Sequence, residues 1–79
     1  MRVLFFAHLK DVTGRAEMIL PVAGNVDADG VWQAILTECP GLARYRGSVR
    51  LACNGEYAGP NVRFADSDEV ALIPPVSGG

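Results

Sequence analysis

The hydrophobic positions of this chain change period several times, and each change marks an element. Residues 2–10 (RVLFFAHLK) alternate, with Val3, Phe5, Ala7 and Leu9 on one face and Arg2, Leu4, Phe6, His8 and Lys10 on the other. The first set is expected to be core, which leaves Leu4 and Phe6 on an otherwise polar face. Residues 11–14 read as a turn, with Gly14 supplying the permissive backbone, and residues 15–22 (RAEMILPV) as the returning strand of a hairpin. Pro21 places that second strand at a sheet edge, because proline cannot donate to a ladder.

A three- and four-residue spacing then takes over. Val31, Trp32, Ile35, Leu36 and Cys39 form one stripe of an amphipathic helix, with Asp27 as its expected N-cap and Asp29 near the positive end of the helix dipole. Gly30 disfavours helix by up to about 1 kcal/mol relative to alanine, which argues for a later start. Pro40-Gly41 stops the helix, and a short helical turn is expected over residues 42–47. Alternation returns in residues 48–53, where Val49, Leu51 and Cys53 point inward and Arg50 outward. Asn54-Gly55 is a strong signal for a type I′ hairpin into a short strand at residues 56–58. After a loop around Gly59-Pro60-Asn61 and a turn at Asp66-Ser67-Asp68, residues 69–73 (EVALI) form the last strand.

The order strand, strand, helix, strand, short strand, strand defines an α+β fold, the β-grasp or ubiquitin-like roll. Its mixed sheet carries one main helix packed across one face, and its first and last strands pair in parallel at the centre. The division is a β-grasp domain at residues 1–73 and an extended arm at residues 74–79. With Phe5 and Leu72 in the core, Phe6, Ile73 and Leu4 form an apolar patch on the open face, the kind of surface that marks an interface.

The arm changes the picture most. Pro74 and Pro75 end the strand and favour a polyproline-like rod, Val76 and Ser77 follow, and Gly78 and Gly79 lack a Cβ. Six extended residues reach about 20 Å, ending in a bare α-carboxylate narrow enough for a channel that excludes side chains. Taken alone, these residues are equally compatible with an ordinary frayed end.

Composition narrows the classes. A chain of 79 residues that is 49% hydrophobic is one folded domain near the lower size limit for a self-sufficient core. No apolar run approaches the ~18 residues of a membrane span, and no secretory leader is expected. A net charge of −2 gives no basic footprint for nucleic acid. Cys39 and Cys53 are too few for a disulfide framework and read as small core hydrophobes, so a cytoplasmic setting with reduced thiols is expected. His8 stands without a second metal ligand in the sequence pattern, and Trp32 reads as core or rim.

The segments VLFFAHLKDVTG, NGE and DSDEVALIPPVSGG carry a resemblance that spans essentially the whole chain. They are similar to the MoaD/ThiS family of ubiquitin-like sulfur carriers, and most similar to its molybdopterin-synthase branch. Ser67 stands where that family more often has glycine, which predicts an unusual turn backbone, and one extra residue precedes the helix. The resemblance implies that Gly79 is adenylated by an ATP-dependent activating enzyme, converted to a thiocarboxylate, and inserted with residues 74–78 into a large catalytic subunit. There its sulfur would pass to cyclic pyranopterin monophosphate to build the molybdopterin dithiolene. It further implies docking through Phe6, Ile73 and Leu4, an assembly of two small and two large subunits, no bound cofactor or metal, and active-site side chains on the large subunit. Two alternatives stay open: a sulfur carrier for another product, such as thiamine thiazole or a sulfur amino acid, and a ubiquitin-like modifier joined to lysines through Gly79.

Overall fold

The computed structural model describes residues 1–74. Five strands form a mixed sheet in the order β2-β1-β7-β4-β5. They are β1 (Arg2–Phe5), β2 (Glu17–Ile19), β4 (Arg50–Cys53), β5 (Glu56–Tyr57) and β7 (Glu69–Ile73). At the centre β1 and β7 run parallel, with Val3 opposite Val70 and Phe5 opposite Leu72. Their crossover is made by everything between, including the helix α2 (Ala28–Glu38), which packs across one sheet face. The fold is the ubiquitin-like β-grasp.

Alternation along β1 and β7 decides which face is covered. Val3, Phe5, Val70 and Leu72 are buried with Val31, Trp32 and Ile35 of α2, and with Leu42 of the 3₁₀ segment Pro40–Tyr45. The helix begins where Asp27 caps it: its carboxylate accepts from the Gly30 amide at 2.9 Å. Gly30 lies within the helix and does not delay it. A Cβ at Gly30 would stand 2.9 Å from the Cβ of Val26, so the glycine permits close approach of the helix to β3 (Asn25–Val26). Gly30→Ala is therefore expected to lower the melting temperature, although alanine is the better helix former by about 1 kcal/mol. A raised melting temperature would show that β3 yields easily at this point.

Three sequence expectations are corrected. The first strand ends at Phe5, five residues before Lys10, and no tight hairpin joins it to β2. A six-residue helix, α1 (His8–Thr13), intervenes and ends at Gly14, whose φ of 75° makes the left-handed cap. Leu9 is buried as expected, but from a helix, whereas Ala7 is exposed. A second, two-stranded sheet pairs β3 with β6 (Phe64–Ala65). It buries Phe64 completely in a stretch that alternation did not mark. The turn at Ser67 needs no left-handed residue, because the Asp68 amide donates to the Ala65 carbonyl at 3.0 Å while the Asp68 carboxylate accepts from the Ala65 amide at 2.8 Å.

Other expectations hold. Pro21 follows β2, which is an edge strand. Asn54 and Gly55 have φ of 52° and 88°, the pair of positive values a type I′ turn requires.

Two turn carboxylates tie the sheet ends together. Asp66 accepts from the Val22 amide and from the terminal ammonium of Met1, which hold its carboxyl below the usual carboxylate range. Asp68 is lowered by the Ala65 amide first and then by Asn54. A lowered folded-state pKa contributes stability that is present above the ordinary carboxylate value of 3.8 and lost as pH falls through the folded value. The melting temperature is thus expected to fall as pH drops below about 4, and the slope there to be shallower in Asp66→Asn and Asp68→Asn. Equal slopes in the variants would remove these turns from the acid response.

Candidate functional site

The uncovered sheet face holds the site. By register, Glu17, Leu4, Ala71, Ala52 and Tyr57 form one continuous row across all five strands. Its middle is apolar and small, because the two alanines lie between longer side chains. Phe6 follows the last ladder position of β1, and Ile73 closes β7 opposite Arg50 of β4. Phe6, Leu4, Ile73 and Tyr57 together line a depression of about 340 Å³. Leu4 and Phe6 also line a second depression of about 240 Å³ toward β2, so they form the ridge between the two.

Of the three patch residues expected from alternation, Phe6 is 44% exposed, and Leu4 and Ile73 are half-buried. All three face the same depression. Tyr57 was not anticipated there, and at 59% exposure it is the more open of the two aromatic side chains. The signal existed: a two-residue Asn54-Gly55 turn sets Ala52 opposite Tyr57, and with Leu51 inward both must face outward.

Charges rim this surface without crossing its centre. Arg2 bonds both Glu17 and Glu69, the latter at 2.8 Å. The Arg50 guanidinium lies 4.4 Å from the Tyr57 ring centroid, a cation–π contact that orients the ring.

The arm begins at this patch. Pro74 is half-buried directly after Ile73 and lies outside the strand, as its missing N–H requires. Pro75, Val76, Ser77, Gly78 and Gly79 lie outside the described residues.

The remaining candidates fall elsewhere. His8 packs its ring against Tyr45, with centroids 5.2 Å apart. Cys39 and Trp32 are in the core. Burial pushes the half-buried Cys53 thiol up, with Asp68 adding to the rise, which disfavours the thiolate that sulfur chemistry would need. No helix among the described residues is long and apolar enough to cross a membrane.

The described residues form a ubiquitin-like roll whose last central strand runs into a Pro-Pro-Val-Ser-Gly-Gly sequence. The chain belongs to the ThiS family, whose model matches residues 3–79. The human molybdopterin synthase sulfur carrier subunit is 35% identical over the whole of this chain and 93% of its own length. Among solved structures, SAMP1 of Haloferax volcanii, a small archaeal modifier protein, superposes with a TM-score of 0.85 at 32% identity, covering 100% of this chain and 98% of that one. A complex of subunits 1 and 2 of the molybdopterin-converting factor from Helicobacter pylori contains a chain matched with a TM-score of 0.67 at 30% identity, covering 99% of this chain and 96% of that one.

Proposed function

We propose that this chain is the sulfur-carrier subunit of molybdopterin synthase. The observation that carries this reading is the likeness, end to end, to the human molybdopterin synthase sulfur carrier subunit. The chemistry follows from the terminal carboxylate of Gly79. A carboxylate is a poor electrophile until one oxygen becomes a leaving group, and a partner enzyme supplies this by adenylation with ATP. A sulfur donor then displaces AMP and leaves a thiocarboxylate, whose sulfur is nucleophilic. The large catalytic subunit receives this terminus, and sulfur passes to cyclic pyranopterin monophosphate. A dithiolene contains two sulfurs, so two charged carriers serve each product, which suits an assembly of two small and two large subunits in the cytoplasm.

In this scheme the chain's own residues bind and direct. Phe6, Leu4, Ile73 and Tyr57 dock on the large subunit, and Pro74 and Pro75 set the exit direction. Val76 gives an apolar grip inside the partner, and Ser77, Gly78 and Gly79 pass a channel that excludes larger side chains. The partner's closed pocket protects the thiocarboxylate from water. The test is reconstitution: the thiocarboxylated chain plus the large subunit is expected to convert the pyranopterin precursor to molybdopterin. A thiocarboxylate that forms but yields no product would assign the carrier to a different sulfur pathway.

The likeness to SAMP1 favours a second reading, in which Gly79 forms isopeptide bonds with lysines. Conjugates carrying the Gly79 remnant on many proteins would support it, and their absence alongside a terminal thiocarboxylate would reject it.

A further inference from the structure

Ala7 occupies a backbone conformation that alanine rarely adopts. Its φ of 53° and ψ of −134° lie in territory that glycine enters freely and L-residues enter only with strain. The cause is a reversal between β1 and α1, in which the Leu9 amide donates to the Phe6 carbonyl at 3.0 Å and the Lys10 amide to the Ala7 carbonyl at 3.1 Å. Ala7 therefore sits at the first central position of a turn of the II′ kind, a position dominated by glycine. Its side chain is exposed, so burial does not explain an alanine here.

The consequence falls on Phe6. The β1–β7 register ends one residue earlier, at Phe5 opposite Leu72, and the Phe5 amide donates to the Ala16 carbonyl at 2.8 Å. Beyond that point Phe6 leaves the ladder and enters the turn, where its carbonyl accepts from the Leu9 amide. On its far side the turn is held firmly: Leu9 is fully buried, the Thr13 hydroxyl donates to the Leu9 carbonyl, and the His8 ring packs on Tyr45. A Cβ at Ala7 narrows the backbone angles available between this fixed side and the exposed Phe6 ring.

We infer that Ala7 is a positioning residue, whose strained turn pre-organises Phe6 for docking on the large subunit. The inference rests on the docking role given to Phe6 above. Pre-organisation of this kind lowers the ordering cost of binding and adds no contact. Its signature is that stability and affinity move in opposite directions. Ala7→Gly releases the strain and is expected to melt higher than the wild type. Its affinity for the large subunit is expected to fall roughly threefold to tenfold, the effect of freeing one backbone position and one aromatic side chain. The amide order parameter at Phe6 should fall with it. A turn that merely reverses the chain would gain stability from glycine and bind unchanged.

The test measures melting temperature and large-subunit affinity for the wild type, Phe6→Ala and Ala7→Gly. Weaker binding by both variants, with Ala7→Gly melting higher, supports the inference. Binding of Ala7→Gly at wild-type strength while Phe6→Ala binds weakly overturns it and leaves the docking reading intact. Wild-type binding by Phe6→Ala overturns the docking reading itself, and the inference with it.

Discussion

Adding one residue after Gly79 is expected to abolish sulfur transfer and to leave the melting temperature of the domain unchanged. The two halves of this result have separate causes. The core is complete before the arm begins: Val70 and Leu72 are fully buried in β7, and Pro74 already lies outside the strand. The proposed chemistry takes place at the carbonyl carbon of Gly79 itself. An added residue moves the terminal carboxylate by about 3.5 Å, and displacements near 1 Å already reduce positioned reactions by about a hundredfold. Any residue other than glycine also brings a Cβ to a place where residues 78–79 have none. Loss of activity by at least about a hundredfold is therefore expected, read as molybdopterin formed per carrier. An untrimmed, extended chain with normal activity would mean that the terminus is not the reacting group.

The second large effect concerns stability. Phe64→Ala is expected to reduce it by about 3–5 kcal/mol, the usual loss for a fully buried phenylalanine replaced by alanine. Phe64 has no exposed surface and belongs to the two-stranded sheet that holds the entry to α2, with Val26 as its partner in the register. A small domain has about 5–15 kcal/mol in total and usually sits toward the lower end, so a drop in melting temperature of roughly 15–30 °C follows. Phe6→Ala provides the contrast. Phe6 is 44% exposed, and its removal should change stability by less than about 1 kcal/mol. If Phe64→Ala melted within a few degrees of the wild type, β3 and β6 would be an appendage and not a part of the core.

Much of the fold was legible where the determinants are local. The cap at Asp27, the stripe from Val31 to Cys39, the stop at Pro40 and the Asn54-Gly55 turn each depend on residues close in sequence. The last strand was legible in full, because alternating Val70 and Leu72 end in a proline that cannot extend a ladder. What was not legible depends on distant partners. Both β3 and β6 have two residues each, and Asn25 pairs with Ala65 forty positions away. A pattern that short carries no period of its own.

The helix α1 was hidden for a different reason. Its six residues continue the spacing of β1 closely enough that Leu9 satisfies either reading. Only the unusual backbone of Ala7 separates strand from helix, and an alanine at that position gives no sign of it. The candidate site was legible for Phe6, Leu4 and Ile73, since their placement needed only parity and the adjacency of β1 and β7. Tyr57 required one more inference, the register that the hairpin turn imposes on β5.

In the proposed function Gly79 is a carrier terminus made reactive by other proteins. The most direct measurement is the intact mass of the chain after incubation with ATP, the activating enzyme and a sulfur donor, with fragmentation to locate the change. A single replacement of oxygen by sulfur is expected, confined to Gly79 and dependent on ATP. A chain that keeps its original mass under conditions where the same enzyme charges another carrier would contradict it.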